Sequence, residues 1–227
     1  VTEKQTIIAT ISSKAELGPY TLLELKTPSS YLQNPGQYCM AHYKVGETVI
    51  TRPYSIASEP RDDQTLELCV SHAGDPDTAQ AIKNLKAGDT LDISPAAGRF
   101  AIPDHDVAAV FIAGGSGITP LRSMIRWRLP RTQQATTLLY GCQSPEEVPY
   151  LEDFLTLSSQ HPHFTLKVYA DQKGPSVGQG HALSDLDQYV ALDQHYFLCG
   201  PPDMVQAAKT SLSDSGINDR QIHTDRY

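Results

Sequence analysis

Two patterns of apolar and polar positions divide the chain. Through the first hundred residues, short β-rich runs at 6–11, 20–25, 38–43, 54–57, 66–71 and 90–93 are separated by turn signals such as Gly18-Pro19 and Pro35-Gly36. One helical stretch, 78–85, interrupts them. Many short strands with a single helix predict an antiparallel β-barrel. Beyond Phe100, apolar runs at 107–113, 136–140, 164–169 and 196–198 alternate with helical patterns at 121–128, 150–158 and 204–212. That alternation predicts βαβ units and an α/β domain around a parallel sheet. The pattern changes at 101–106, so the expected division is a barrel domain over 1–102 and an α/β domain over 103–227.

Composition narrows the function classes. The chain has 227 residues, 40% hydrophobic and 19% charged, with a formal charge of −8 that argues against a general nucleic-acid binder. No run of about 18 apolar residues is present, so no membrane span is expected, and Val1-Thr2-Glu3-Lys4 shows no signal-peptide core. Cys39, Cys69, Cys142 and Cys199 are far apart, which excludes a cysteine-ligated iron–sulfur centre or zinc ribbon within this chain. A reducing, cytoplasmic compartment fits that usage. Cys39, Cys69 and Cys142 lie in strand-like runs and read as small buried hydrophobes. The histidines are dispersed, His161-x-His163 reads as loop surface, and no metal site is expected.

Two runs carry candidate chemistry. Ala113-Gly114-Gly115-Ser116-Gly117-Ile118-Thr119-Pro120 follows an apolar strand and opens a helix, with Thr119 expected as N-cap and Pro120 as first helical residue. Its glycines would let a pyrophosphate reach the amides at the helix N-terminus, where the dipole favours negative charge. Pro120 breaks the Gly-x-Gly-x-x-Gly fingerprint, and Ile118 breaks Gly-x-Ser-x-Gly, so Ser116 is not read as a hydrolase nucleophile. Taken alone, the run is equally compatible with a ligand-free turn. In Thr51-Arg52-Pro53-Tyr54-Ser55-Ile56-Ala57-Ser58, alternation places Arg52 and Tyr54 on one face and Ser55 on the other. Arg supplies charge-assisted hydrogen bonds to phosphate, Tyr an aromatic plane and Ser a short donor.

Arg52-Pro53-Tyr54-Ser55 resembles the flavin signature Arg-x-Tyr/Phe-Ser/Thr of the ferredoxin–NADP reductase superfamily. The run from Gly114 to Pro120 resembles that family's nicotinamide-pyrophosphate loop. Cys199-Gly200-Pro201-Pro202-Asp203-Met204 resembles its Cys-Gly-Pro-x-x-Met motif. Pro35-Gly36-Gln37-Tyr38 and Pro95-Ala96-Ala97-Gly98-Arg99-Phe100 also follow the family's order. The resemblance implies a flavin-binding barrel followed by a nicotinamide-binding α/β domain, passing hydride from NAD(P)H to flavin and electrons onward.

Residue by residue, the resemblance implies that Arg52 binds flavin phosphate, Tyr54 packs on the flavin, and Ser55 lies near the hydride-accepting nitrogen. Pro53 belongs to the same signature, and Cys69, Val70 and Ser71 would line the flavin through their backbone. Gly74-Asp75-Pro76-Asp77-Thr78 matches a second phosphate site, favouring FAD over FMN. Gly114, Gly115, Ser116, Gly117, Thr119 and Pro120 would hold the dinucleotide. Cys199, Gly200, Pro201, Asp203 and Met204 would close over the nicotinamide, Cys199 being either a hydride-site thiol or simple packing. Asp225 and Tyr227 match the acidic and aromatic tail of plant-type members, where the aromatic shields the flavin; a frayed terminus is the other reading.

The loop Tyr140-Gly141-Cys142-Gln143-Ser144-Pro145-Glu146-Glu147 offers Gln143 and two acids where a 2′-phosphate wants Arg or Lys, which predicts NADH over NADPH. The expected acceptor is a ferredoxin or an oxygenase component, docked on a basic cluster of Arg122, Arg126, Arg128 and Arg131 unless that cluster is a solvated helix face. The alternatives are a flavin reductase releasing reduced free flavin and a non-enzymatic regulatory subunit.

Overall fold

The computed structural model describes residues 6–72 and 76–225. Six strands form the first sheet: β1 (Ile7–Leu17), β2 (Tyr20–Lys26), β3 (Tyr38–Val45), β4 (Thr48–Ser55), β5 (Thr65–Ser71) and β6 (Thr90–Ile93), with helix α1 (Pro76–Asn84) between the last two. Their order is β4-β3-β6-β1-β2-β5, with every pair antiparallel. Alternation drives this packing: in β2, Thr21, Leu23 and Leu25 are buried while their neighbours face outward. A bridge between Ile56 and Leu68, with Ala57 N–H donating to Glu67 O at 2.8 Å, ties the end of β4 to β5 and closes the barrel.

The second sheet runs β10-β9-β8-β7-β11-β12, all parallel. Its strands are β7 (Ala109–Gly114), β8 (Thr136–Gly141), β9 (Phe164–Ala170), β10 (Gly178–Gln179), β11 (His195–Cys199) and β12 (Ile222–Asp225). Helices α2 (Ile118–Arg128), α3 (Leu151–Gln160) and α4 (Pro202–Asp214) cover it. All six residues of β7 are buried, because separate cores form on the two faces of the sheet. The two-domain fold expected from the alternation of elements is the one observed.

Local boundaries differ where side chains act on the backbone. The strand expected at 54–57 begins at Thr48, paired with β3 across a turn at Gly46; its first half is largely exposed and carries no apolar alternation. A 3₁₀ turn over Gly115–Gly117 precedes α2, whose N-cap is Gly117 rather than Thr119. Thr119 lies inside the first turn and donates to Ser116 O at 2.8 Å. Pro120 is third in the helix, where its missing N–H costs no intrahelical bond.

The arginine cluster is not the expected docking face. Arg122 is buried and donates to Asp153 at 2.7 Å, Glu67 at 2.9 Å and Ala57 O at 2.9 Å, with its guanidinium stacked on Tyr150. Arg126 bonds Glu59 at 2.8 Å and also Asp153. Arg128 is fully buried, donating to Thr136 and to the His105 and Val107 carbonyls, and that burial lowers its pKa to about 10. Of the four, Arg131 is exposed and stacks on Trp127. Three guanidiniums are thus consumed in internal bonds, two of them fastening α2 to the barrel.

Candidate flavin and dinucleotide site

Two adjoining cavities open along the seam between barrel and parallel sheet. The smaller, about 230 Å³, is lined by Arg52, Pro53, Tyr54 and Ser55 from β4, Cys69 and Ser71 from β5, Thr78 and Ala79 from α1, and Ser116 and Thr119 from α2 and its entry. Strand pairing places Arg52 opposite Ala41 and Tyr54 opposite Cys39, two fully buried positions. The aromatic ring of Tyr54 is fixed edge-on against Tyr43, and the guanidinium of Arg52 donates to the Thr51 carbonyl at 3.1 Å. One cation and a set of hydroxyls around an aromatic plane match the needs of a flavin with its phosphates.

The larger cavity, about 780 Å³, lies over the carboxyl ends of β7, β8 and β11, where open parallel sheets bind ligands. Its wall includes Gly114, Gly115, Ser116, Cys142, Gln143, Glu147, Asp171, His181, Gly200, Pro201 and Met204. Ser71 and Ser116 line both cavities, so the two spaces meet there. The glycine loop lies directly on the end of β11: a Cβ on Gly117 would stand 2.2 Å from the Cys199 carbonyl oxygen. Any larger residue would push the loop off the strand and shift the amides at the start of α2.

Other sequence-derived residues stand behind these walls. Val70 and Cys199 are fully buried, Pro120 packs inside α2, and Gly117 is covered by β11. Asp77 and Asp203 sit in the exposed first turns of α1 and α4. Asp225 is the register partner of Cys199 across β11 and β12, so the fold brings these two together. Gly74 and Tyr227 lie outside the described residues.

Cys142 departs from the buried-hydrophobe reading. It is half-buried one residue past β8, on the cavity wall, because a residue at the carboxyl edge of the sheet leaves the core. Burial pushes its thiol up to about 11. Cys69 is raised to about 12, again by burial. Sequence reasoning missed Pro19, Tyr20, Asp171, His181, Ala182 and Leu183 as wall residues. The Gly18-Pro19 turn marked a hairpin, but nothing local shows that its tip reaches another sheet. Among the described residues no group of three or more His, Cys, Asp or Glu is placed to hold a metal, and no helix is long and apolar enough to cross a membrane.

Comparison with known proteins agrees with this geometry. Residues 9–102 match the oxidoreductase FAD-binding domain, and residues 111–210 match the oxidoreductase NAD-binding domain. One component of the Na(+)-translocating NADH-quinone reductase of Neisseria gonorrhoeae, its F polypeptide, is 32% identical over 93% of this chain and 58% of its own length. The corresponding polypeptide from Haemophilus influenzae is 30% identical over 96% of the chain and again 58% of its own length. The chain therefore spans less than two thirds of these relatives. The Amycolatopsis cytochrome P450 reductase GcoB superposes with a TM-score of 0.87 at 25% identity, covering 98% of this chain and 69% of that one. A ferredoxin NADP+ reductase from Neisseria gonorrhoeae with bound FAD and NADP shares the fold, with a TM-score of 0.79 at 22% identity over 98% and 99% of the two chains. The chain belongs to the ferredoxin–NADP reductase superfamily, with an oxidoreductase FAD-binding domain followed by an oxidoreductase NAD-binding domain.

Proposed function

We propose that the enzyme takes hydride from NADH in preference to NADPH and passes electrons to a protein acceptor, a ferredoxin or an oxygenase component. The observation that carries the nucleotide preference is the wall of the larger cavity. It presents Glu147, Asp171 and Gln143 and, among the described residues, neither Lys nor Arg. A 2′-phosphate would meet carboxylates without a compensating cation, whereas a ribose hydroxyl can donate to them.

In this reading, residues 1–102 serve FAD and 103–227 the dinucleotide. FAD, when bound, would supply hydride acceptance and one-electron release; the chain's own residues bind, orient and shield. Arg52 and Thr78 hold phosphate, Tyr54 packs on the flavin, Pro53 and the backbone at Cys69 and Ser71 line it, and Ser55 faces the reacting edge. The loop from Gly114 to Thr119 holds the pyrophosphate. Gly200, Pro201 and Met204 bound the nicotinamide, with Cys199 and Asp225 supporting them from beneath.

The names of two similar proteins support an onward acceptor: one is a cytochrome P450 reductase, the other a subunit of an NADH-quinone reductase. With the arginine cluster consumed internally, the acceptor would dock by another surface. Release of reduced free flavin is disfavoured by Arg52 and Thr78, which hold the cofactor's phosphates in this reading.

Steady-state kinetics with NADH and NADPH test the preference. The expected kcat/KM favours NADH, and Gln143→Arg should improve NADPH use about fivefold, close to 1 kcal/mol. A clear wild-type preference for NADPH would overturn the assignment. NADH-driven reduction of a ferredoxin, assayed beside free riboflavin, tests the acceptor.

A further inference from the structure

We propose that Tyr20, a residue of the flavin-side barrel, donates a hydrogen bond to the pyrophosphate of the dinucleotide and so makes nucleotide affinity depend on both domains. The inference rests on the dinucleotide occupying the larger cavity. Tyr20 opens β2 opposite Ser71, one of the two residues shared by the two cavities. Its hydroxyl lies over the glycine loop, 3.4 Å from where a Cβ on Gly115 would stand. Among the described residues no protein group takes a hydrogen bond from it, although Tyr20 is half-buried.

The loop beneath is turned to match. Gly115, at φ +53°, directs its carbonyl to Ile118 N–H and to the hydroxyl of Tyr140, which donates at 3.2 Å from below. Across a trans peptide the N–H points opposite to the carbonyl, so the Ser116 amide faces away from Tyr140. Tyr20 O–H and Ser116 N–H thereby become two donors for one anion. Burial first, then the neighbouring Cys142, Cys69 and Glu147, pushes the phenol up to about 12, which keeps its proton in place. The hairpin tip before it lies close against the other domain: a Cβ on Gly18 would stand 2.6 Å from the Glu147 carboxyl carbon.

Y20F in the FAD-loaded protein is the test, because it removes the donor and keeps the ring. The Kd for ADP-ribose by calorimetry and the KM for NADH should both rise roughly tenfold. The kcat should stay within about twofold and the flavin spectrum should not change. Unchanged ADP-ribose affinity in Y20F, or a loss seen only in Y20A, would overturn the proposal, the second outcome pointing to packing alone. A wild type that binds no ADP-ribose would instead remove the dinucleotide reading beneath it.

Discussion

At one end of the seam between the two sheets, charged side chains close on one another; at the other, glycines, hydroxyls and aromatic rings face open space. The closed end holds Arg61, Arg122 and Arg126 against Glu59, Glu67 and Asp153. Its charges are satisfied within the protein, with three cations matched by three anions. The open end keeps the Arg52 guanidinium and the amides of the glycine loop on its walls. Internally paired charge makes a rigid joint with no capacity for a ligand, and wall donors make a ligand site that contributes little to joining the domains. The same residue type therefore has opposite uses a short distance apart.

The largest test breaks the closed end. Arg122→Ala removes two ion pairs, a carbonyl contact and the Tyr150 stack together, leaving Glu67 and Asp153 underpaired. We expect a loss of about 3–5 kcal/mol in chemical denaturation. A loss below about 1 kcal/mol would mean the network is ornamental, as exposed pairs often are.

On the open end, Arg52→Ala should weaken FAD retention about 10- to 100-fold, the worth of a charge-assisted hydrogen bond, while the apoprotein's denaturation midpoint stays put. Equilibrium dialysis of FAD checks the first, and a denaturant titration the second. A drop in apoprotein stability similar to that of Arg122→Ala would erase the contrast between the two ends.

A smaller effect is expected behind the open wall. Cys199→Ala should slow flavin reduction by NADH about tenfold in stopped-flow measurements and leave the bound flavin's spectrum as it was. An unchanged rate would assign the thiol to packing alone.

The smallest effect sharpens the electrostatic side. Burial raises the carboxyl of Glu59, but hydrogen bonding from Arg126 and a backbone amide, with the charges of Arg126 and Arg61, holds it at about 2. Because the folded value is depressed, this stabilisation is complete above the ordinary value of 4.5 and is lost as the pH falls through about 2. Glu59→Gln should cost about 1 kcal/mol at neutral pH and flatten the acid limb of the stability profile between those limits. A wild-type profile flat across that window would contradict the pairing.

Legibility from sequence followed the range of the interactions involved. The barrel and parallel sheet were readable because alternation in β2 and the unbroken apolar run of β7 are local consequences of which faces are buried. Arg52, Tyr54, Ser55 and Thr78 sit in short contiguous motifs that stand out in the sequence, and they line one cavity. The four arginines of the α2 region misled for the converse reason. Their helical spacing shows a basic face, while their partners Glu59, Glu67 and Asp153 are distant in the chain. Thr119 was misplaced as N-cap because a 3₁₀ turn begins the helical path earlier than its glycines suggest.

What the sequence determined by itself was the order of elements and the two kinds of sheet, since each depends on residues within one or two turns of chain. Tertiary structure alone decided which arginines are joints and which faces a ligand cavity. It also brought Tyr20 over Gly115 and Asp225 beside Cys199. Those outcomes depend on how two separately legible domains pack, and docking geometry is set by contacts between residues far apart in sequence, which no local pattern records.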